Sequence, residues 1–326
     1  MKIELLISDP AGDGGYLPLV AEGVEWSTER KGAPGKLSFQ VLQEEAIRFE
    51  EGAAVRLRVD GKNVFFGFVF SRKRDKNRII TVTAYDQLRY LNNKDTYIYT
   101  NKTASQLLRM LAADFRLNTG TIEETGFVIA SRVEENTSLF DMIGNALDLT
   151  LQNTGKMFVL FDDAGRLTLK NAASMRVGSP GAYLMIDEET GENFEYTSSI
   201  DSNTYNKIKL AYDNEKTGKR EVYLAQDSAS MNRWGVLQYF DTLSEKENGK
   251  AKADALLKLY NSRTRNLKIT NAVGDTRVRA GSMLVVKLAL GDMELKNFML
   301  VERAAHTFQL DGHFMDLTLR GGEFVG

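Results

Sequence analysis

The sequence predicts an α+β protein that is mainly β, with two small β-barrel units flanking a small α/β domain. Three observations carry this. A stretch near the start of the chain is rewritten, strand for strand, near its end. Both copies alternate apolar and polar residues with period two, the mark of strands with one buried face. Between them, two capped segments with helical periodicity interrupt the β pattern.

The repeat is specific. Leu37-x-Phe39 is followed by Arg48-Phe49-x-x-Gly52, then by Val55, Leu57 and Val59. Downstream, Leu267-x-Ile269 is followed by Arg277-Val278-x-x-Gly281, then by Leu284, Val286 and Leu288. Each copy goes on to a turn (Asp60-Gly61; Gly291-Asp292), an apolar strand (Val64 to Phe70; Phe298 to Ala305) and a return strand (Ile79 to Ala84; His313 to Leu319). Self-similarity in a fixed order signals a repeated unit, and short, evenly spaced strands suggest a small barrel or sandwich. Leu57 is expected to hold the core position of Val286, and Val55 that of Leu284.

Residues 1–97 read as the first β unit, with strands over Lys2 to Ile7, Val20 to Ser27 and Lys36 to Val41 before the three just named. Asp60-Gly61 is a two-residue hairpin signal, because both residues tolerate the positive φ of primed turns. Ala84-x-Asp86-x-Leu88 leaves the sheet with Leu88 and Leu91 at helical spacing. Residues 98–181 read as the α/β domain. Thr103-x-x-Gln106 is a capping box with Leu107, Leu108, Leu111 and Phe115 behind it; Ser138-x-x-Asp141 caps a second helix with Leu139, Met142, Ile143, Ala146 and Leu147. A short strand over Phe127 to Ala130 and a hairpin of Met157 to Phe161 with Arg166 to Lys170 complete it. Residues 182–326 hold the second β unit with an insertion: a hairpin of Tyr205 to Tyr212 with Glu221 to Ala225, a polar stretch with Trp234-Gly235, and a helix capped by Ser244-x-x-Glu247 with Ala251, Ala255 and Leu259 on one face.

A chain of 326 residues, 43% apolar, is a globular protein of about two or three domains. Its formal charge of −2 argues against general nucleic-acid binding, which wants a basic face. With no cysteine, thiolate metal sites and a Cys nucleophile are excluded. The absence of a signal peptide or an 18-residue apolar run leads to the expectation of a soluble chain made in the cytoplasm, without membrane contact.

Few constellations carry chemistry. His306 and His313 are the only histidines. A two-residue turn at Asp311-Gly312 would set Leu310 against His313 and His306 against Leu317, holding the imidazoles apart along the ladder, so no metal site is expected. No G-x-S-x-G, S-x-x-K or H-E-x-x-H motif is present. Acidic candidates for a glycosidase-like pair (Asp162-Asp163, Asp187-Glu188-Glu189, Glu245) fall in predicted turns or at a helix start and read as solvated. No catalytic, metal or cofactor residue is assigned. One charge run stands out: Arg72, Lys73, Arg74, Lys76 and Arg78 crowd the tip between two strands. They either dock on an acidic neighbouring subunit or form a solvated tip that discourages edge pairing. Direct nucleic-acid binding is not expected, as no aromatic interleaves them for stacking.

The order of these units, with Phe49-Glu50-Glu51-Gly52 through Asp60-Gly61-Lys62-Asn63-Val64-Phe65-Phe66-Gly67, Val82-Thr83-Ala84-Tyr85-Asp86-Gln87-Leu88-Arg89-Tyr90-Leu91, Asn101-Lys102-Thr103-Ala104-Ser105-Gln106 and Arg233-Trp234-Gly235, resembles the central baseplate hub proteins of contractile phage tails. Within them it is most similar to the XkdQ/YqbQ-like group from prophages and phage-tail-like particles of Gram-positive bacteria. The resemblance implies a homotrimer whose two tail-tube-like barrels form a pseudo-hexameric ring beneath the tail tube. It further implies contacts with the tail tube protein, the central spike, and other baseplate and tape-measure proteins, and no catalysis in the barrels. Some hubs carry a fused peptidoglycan-cleaving domain, whereas this chain is expected to end at its second barrel. The alternatives are a tail-associated peptidoglycan hydrolase and a host-surface carbohydrate-binding module.

Overall fold

The computed structural model describes residues 1–8, 15–16, 20–42, 49–201, 203–214, 218–243, 248–289, 294–310 and 312–321. Arg48, Ser244, Glu245, Glu247, Gly291, Asp292 and Asp311, invoked above, lie outside the described residues.

The first β unit comprises β1 (Ile3–Ser8), β2 (Val20–Glu29), β3 (Lys36–Leu42), β4 (Ala54–Val59), β5 (Lys62–Arg74) and β6 (Ile79–Tyr85), hydrogen-bonded in the order β2-β3-β6-β5-β4-β1. Alternation dictates its core: Val55, Leu57 and Val59 point inward against Leu5, Ile7, Leu37, Phe39 and Val82. At the tight turn Asp60 and Gly61 take φ of 48° and 77°, as a primed hairpin requires.

The chain leaves this sheet through a 3-10 turn, Gln87–Asn92, capped by the Asp86 carboxylate. The middle region follows as β7 (Lys94–Lys102), α1 (Ala104–Asp114), β8 (Thr119–Ile122), β9 (Ile129–Ser138), α2 (Leu139–Thr154), β10 (Phe158–Asp162) and β11 (Leu167–Asn171). The α1 capping box forms as the sequence predicts: Thr103 Oγ1 accepts from Gln106 N (3.2 Å), and Gln106 Oε1 accepts from Thr103 N (3.0 Å). Ser138 caps α2, and Gly155, at φ 70°, ends it. The short strand expected over Phe127 to Ala130 is instead the ten-residue β9, paired with β7 and running into α2. Its polar residues, Arg132 and Glu134 to Thr137, hide it from an apolar pattern.

The second unit opens with β12 (Met185–Ile186) and β13 (Asn193–Ser199). An insertion then builds its own three-stranded sheet from β14 (Lys207–Asn214), β15 (Lys219–Gln226) and, after α3 (Ser228–Trp234), β16 (Gln238–Thr242), with α4 (Gly249–Tyr260) packed on it. The expected stripe on α4 is rotated. Ala253 and Leu256 face the sheet, Ala251 and Ala255 face solvent, and Asn248 caps the helix. Several four-residue spacings exist on this alanine-rich helix, and packing on Ile208 and Leu210 selects one. The chain finishes with β17 (Thr264–Val273), β18 (Met283–Ala289), β19 (Glu294–Phe308) and β20 (His313–Gly321).

The second set is ordered β13-β17-β20-β19-β18-β12, the order of the first. Details repeat too. Gly52 and Gly281 have φ of 91° and 90°. Gly52 N donates to Val69 O (2.8 Å), and Gly281 N to Val301 O (2.7 Å). Register shifts after Val69 and after Val301 displace both ladders at the same place. Val55 pairs with Gly67 and Leu57 with Phe65; Leu284 pairs with Met299 and Val286 with Asn297, the matching positions. One difference remains: β1 runs antiparallel to β4, whereas β12 runs parallel to β18.

The two sets do not stand apart as separate closed barrels. The second half of β19 pairs with β2, fusing both into one thirteen-stranded sheet that also includes Gly15–Tyr16; no closed barrel forms among the described residues. The sequence shows each set's strands but not which edge meets which, because the pairing joins residues far apart in the chain.

Leu57 is fully buried. Replacing it with Asp should destabilise the first unit by on the order of 4 kcal/mol, since an unpaired carboxylate would be forced into the core. Urea unfolding checks this, and a variant with the parent midpoint would contradict the assigned register.

Candidate assembly interface

The fusion seam is a six-residue antiparallel ladder from Val24 opposite Phe308 to Glu29 opposite Arg303. Just beyond it, Arg30 clamps Glu302 with two hydrogen bonds (Nε to Oε2 2.7 Å, Nη2 to Oε1 2.9 Å), and Ala280 N donates to Thr28 Oγ1 (2.9 Å). Bidentate pairing of this kind fixes geometry as well as charge. On the inner face Trp26 stacks on His306 with centroids 4.6 Å apart.

Here the structure corrects the expected histidine register. The ladder closes at Phe308 opposite His313, leaving a four-residue connection with Gln309 N donating to Gly312 O (2.8 Å). His306 therefore pairs with Met315 rather than Leu317, and the two histidines become diagonal neighbours on one face. His306 Nδ1 lies 2.9 Å from His313 Nε2, and His306 Nε2 lies 3.0 Å from Val278 O. The carbonyl can only accept, so His306 carries its proton on Nε2 and accepts from His313 at Nδ1. Burial is the main force lowering both imidazoles, to about 3 for His306 and about 4 for His313. Among the described residues no group of three or more His, Asp or Glu side chains could hold a metal ion.

A second polar junction ties the first unit, the middle region and the second unit together. Asp86 accepts from Gly35 N (2.9 Å) and Leu88 N (3.0 Å), and a Cβ on Gly35 would sit 2.3 Å from its carboxylate. Gln87 bridges to Asp162 Oδ2 (2.9 Å) and to the backbone of Asn118. Arg279 donates to Asp162 O (2.6 Å) and lies over the Phe161 ring at 4.3 Å, with 16% of its side chain exposed. Burial raises Asp86 well above the carboxylate range, helped by the charge of Asp162, which burial raises as well. Asp162 is thus a buried structural group, not the solvated turn residue the sequence suggested. Asp163 is exposed, and Asp187 accepts from Glu189 N and Thr190 N within a turn. Sequence reading missed Arg279 altogether; its one signal was the basic residue two before Gly281.

The basic cluster sits on the repeat counterpart of the seam. Counting from the shared bulge, Arg72, Lys73 and Arg74 correspond to Ala304, Ala305 and His306, the part of β19 that pairs with β2. On β5 this stretch pairs only with β6 among the described residues. Arg72 is partly committed: it donates to Phe49 O and pairs with Glu51 (3.0 Å). Lys73, Arg74, Lys76 and Arg78 are exposed, and Arg78 turns the chain at φ 64°.

The seam should weaken in acid. Folded, both imidazoles stay neutral to well below the value near 6.5 of an unfolded histidine. The unfolded chain therefore binds more protons below about pH 6.5, and the histidine contribution, full above that pH, is lost as pH falls toward about 4. Asp86 and Asp162, being raised, act in the opposite sense, so the effect is read as a difference. Between pH 7 and 4.5 each histidine accounts for about 2–3 kcal/mol, so the parent should lose about 5 kcal/mol more than a His306→Phe/His313→Phe variant in denaturant titrations. Equal losses would exclude the pair as the acid-sensitive element.

Comparison with known proteins gives the geometry its relatives. YqbQ of Bacillus subtilis (strain 168) is 31% identical over 319 residues, covering 93% of this chain and 92% of its own. The phage-like element PBSX protein XkdQ of the same organism is 31% identical over 317 residues, covering 94% of each. The 43 kDa tail protein of prophage MuSo2 from Shewanella oneidensis shares the fold at 13% identity, with a TM-score of 0.68 over 97% of this chain and 98% of its own. The E. coli c3393 protein, a type VI secretion component similar in structure to the T4 tail proteins gp27 and gp5, does so at 11% identity, with a TM-score of 0.57 over 99% of this chain and 78% of its own. The YQBQ-like family profile matches residues 24–320, and the chain belongs to that family.

Proposed function

We propose that this chain is a structural hub of a phage-tail or tail-like baseplate. Three copies form a ring that adapts a six-fold tail tube above to a three-fold spike below. The carrying observation is the duplicated strand set, fused edge to edge within one chain. Head-to-tail contacts that close make rings, so three chains supply six similar units, while the unrepeated middle region and insertion reduce the symmetry to three. On this reading residues 1–97 and 182–326 are tail-tube-like units whose barrel is completed only across copies, with 98–181 as the intervening domain. The partners are the tail tube protein, the central spike, and other baseplate and tape-measure proteins. The family relationship to a phage-element protein and the fold shared with prophage tail proteins support this setting. The role is structural rather than enzymatic. No helix among the described residues is long and apolar enough to cross a membrane.

Counting copies in purified particles by native mass or image reconstruction tests the adaptor. Three per ring is expected; two or six would overturn it. The basic tip is proposed as a docking element within this assembly. Because Arg72 also holds Phe49 and Glu51, the informative variant keeps it and changes Lys73, Arg74, Lys76 and Arg78 to Ser. Folding should be unchanged, while particle yield falls and becomes more sensitive to salt, as a surface charge cluster should. Parent-like yield at every salt concentration would reduce the tip to a solvated hairpin.

A further inference from the structure

We propose that the exposed end of β5 receives β13 of a second copy as its next strand, repeating between chains the ladder that β19 and β2 make within one. This rests on the ring reading and names its contact.

The two edges are the counterparts of the seam's two strands. β13 pairs with β17 as β2 pairs with β3: Tyr196 faces Leu267 where Trp26 faces Leu37. Glu195 thus corresponds to Glu25 and Phe194 to Val24. In the seam, Val24 and Trp26 are each 3% exposed; on β13, Phe194 is 40% exposed and Tyr196 half-buried. β13 is an edge strand of the sheet, and the end of β5 lacks an outer neighbour among the described residues. One set therefore offers the receiving edge and the other the inserting edge, the head-to-tail arrangement a ring needs.

Charge selects the partner. Carried over from the seam, the register sets Ser71 opposite Ser199, Arg72 opposite Ser198, Lys73 opposite Thr197 and Arg74 opposite Tyr196. Glu195 then falls opposite Asp75, whose carboxylate is turned onto Asn77 N and Ile79 N of its own turn (2.9 Å each), and diagonal to Lys73 on the same face, with Glu192 opposite the turn that carries Arg78. Glu195 is 69% exposed and only loosely countered by Lys268 at 3.5 Å; Glu192 accepts from Asn271. The seam positions Ala304 and Ala305 carry no charge, so the basic residues are peculiar to the edge lacking an internal partner. Like charges on edge strands block pairing, while opposite charges on two different edges admit that pairing alone.

The chain has no cysteine, so an introduced pair is the only thiol pair present. Lys73→Cys with Thr197→Cys matches the seam pair Ala305 and Ser27. Opposed residues of an antiparallel ladder lie about 4.5–5.5 Å apart at Cα, within disulfide reach. In particles assembled with the double variant and mildly oxidised, non-reducing gels should show covalent dimers and trimers, absent from either single variant. Particles with three copies per ring but no cross-link would overturn the edge pairing and leave the adaptor standing. A ladder stopping at dimers would overturn it too, and a copy number other than three would overturn the adaptor itself. If the cysteine variant does not assemble, charge reversal decides: Lys73→Glu/Arg74→Glu should lower particle yield at least tenfold, and adding Glu192→Lys/Glu195→Lys should restore it. Failure to restore yield from a folded chain counts against the proposal.

Discussion

The architecture depends on one ladder of six residue pairs, where β2 lies against the far end of β19. Without it each strand set would end in an open edge, a row of unpaired N–H and C=O groups that costs stability and invites wrong partners. With it, one sheet serves both hydrophobic clusters, and Phe308 from the second set packs into the core of the first. Hydrogen bonding alone would make such a ladder permissive of slippage. Trp26 against His306 on one face, and the Arg30 clamp on Glu302 at its end, remove that freedom. Shifting the register by one residue would turn Trp26 out of the core and part the clamp.

The junction at Asp86, Asp162 and Arg279 does different work. It contributes little net stability, because desolvating charges offsets much of what their pairing returns. Its value is in direction. Hydrogen bonds and a cation resting on an aromatic face hold the middle region at a fixed angle to the sheet. Removing one partner while leaving the others buried is the costly change, so the group behaves as a unit.

Much of this was legible beforehand where the cause is local. Gly52 and Gly281 stand out in sequence because each must adopt positive φ at the same point of a repeated turn. Thr103 and Ser138 announced their helices because a cap is a contact over three residues. The illegible parts have non-local causes. Nothing near Trp26 says that its partner is His306, and the histidine register hinges on two extra residues in a connection. Strand β9 carries too many polar residues to advertise itself. For the candidate interface, the basic run was visible in sequence, but its equivalence to the seam appears only once both bulges are aligned.

The remoteness of the seam's strands has a consequence for synthesis. Residues 24–29 leave the ribosome long before residues 303–308 exist. At ~5–20 residues per second that interval is roughly 15–55 s, far longer than the time in which a hairpin forms. The N-terminal half must therefore wait with its β2 edge bare, in a cell where many identical nascent chains expose the same edge. Closure of such a distant pair is also a slow, high-contact-order step. Misassembly during this window, rather than instability of the finished fold, is the hazard built into joining the first and last parts of one chain.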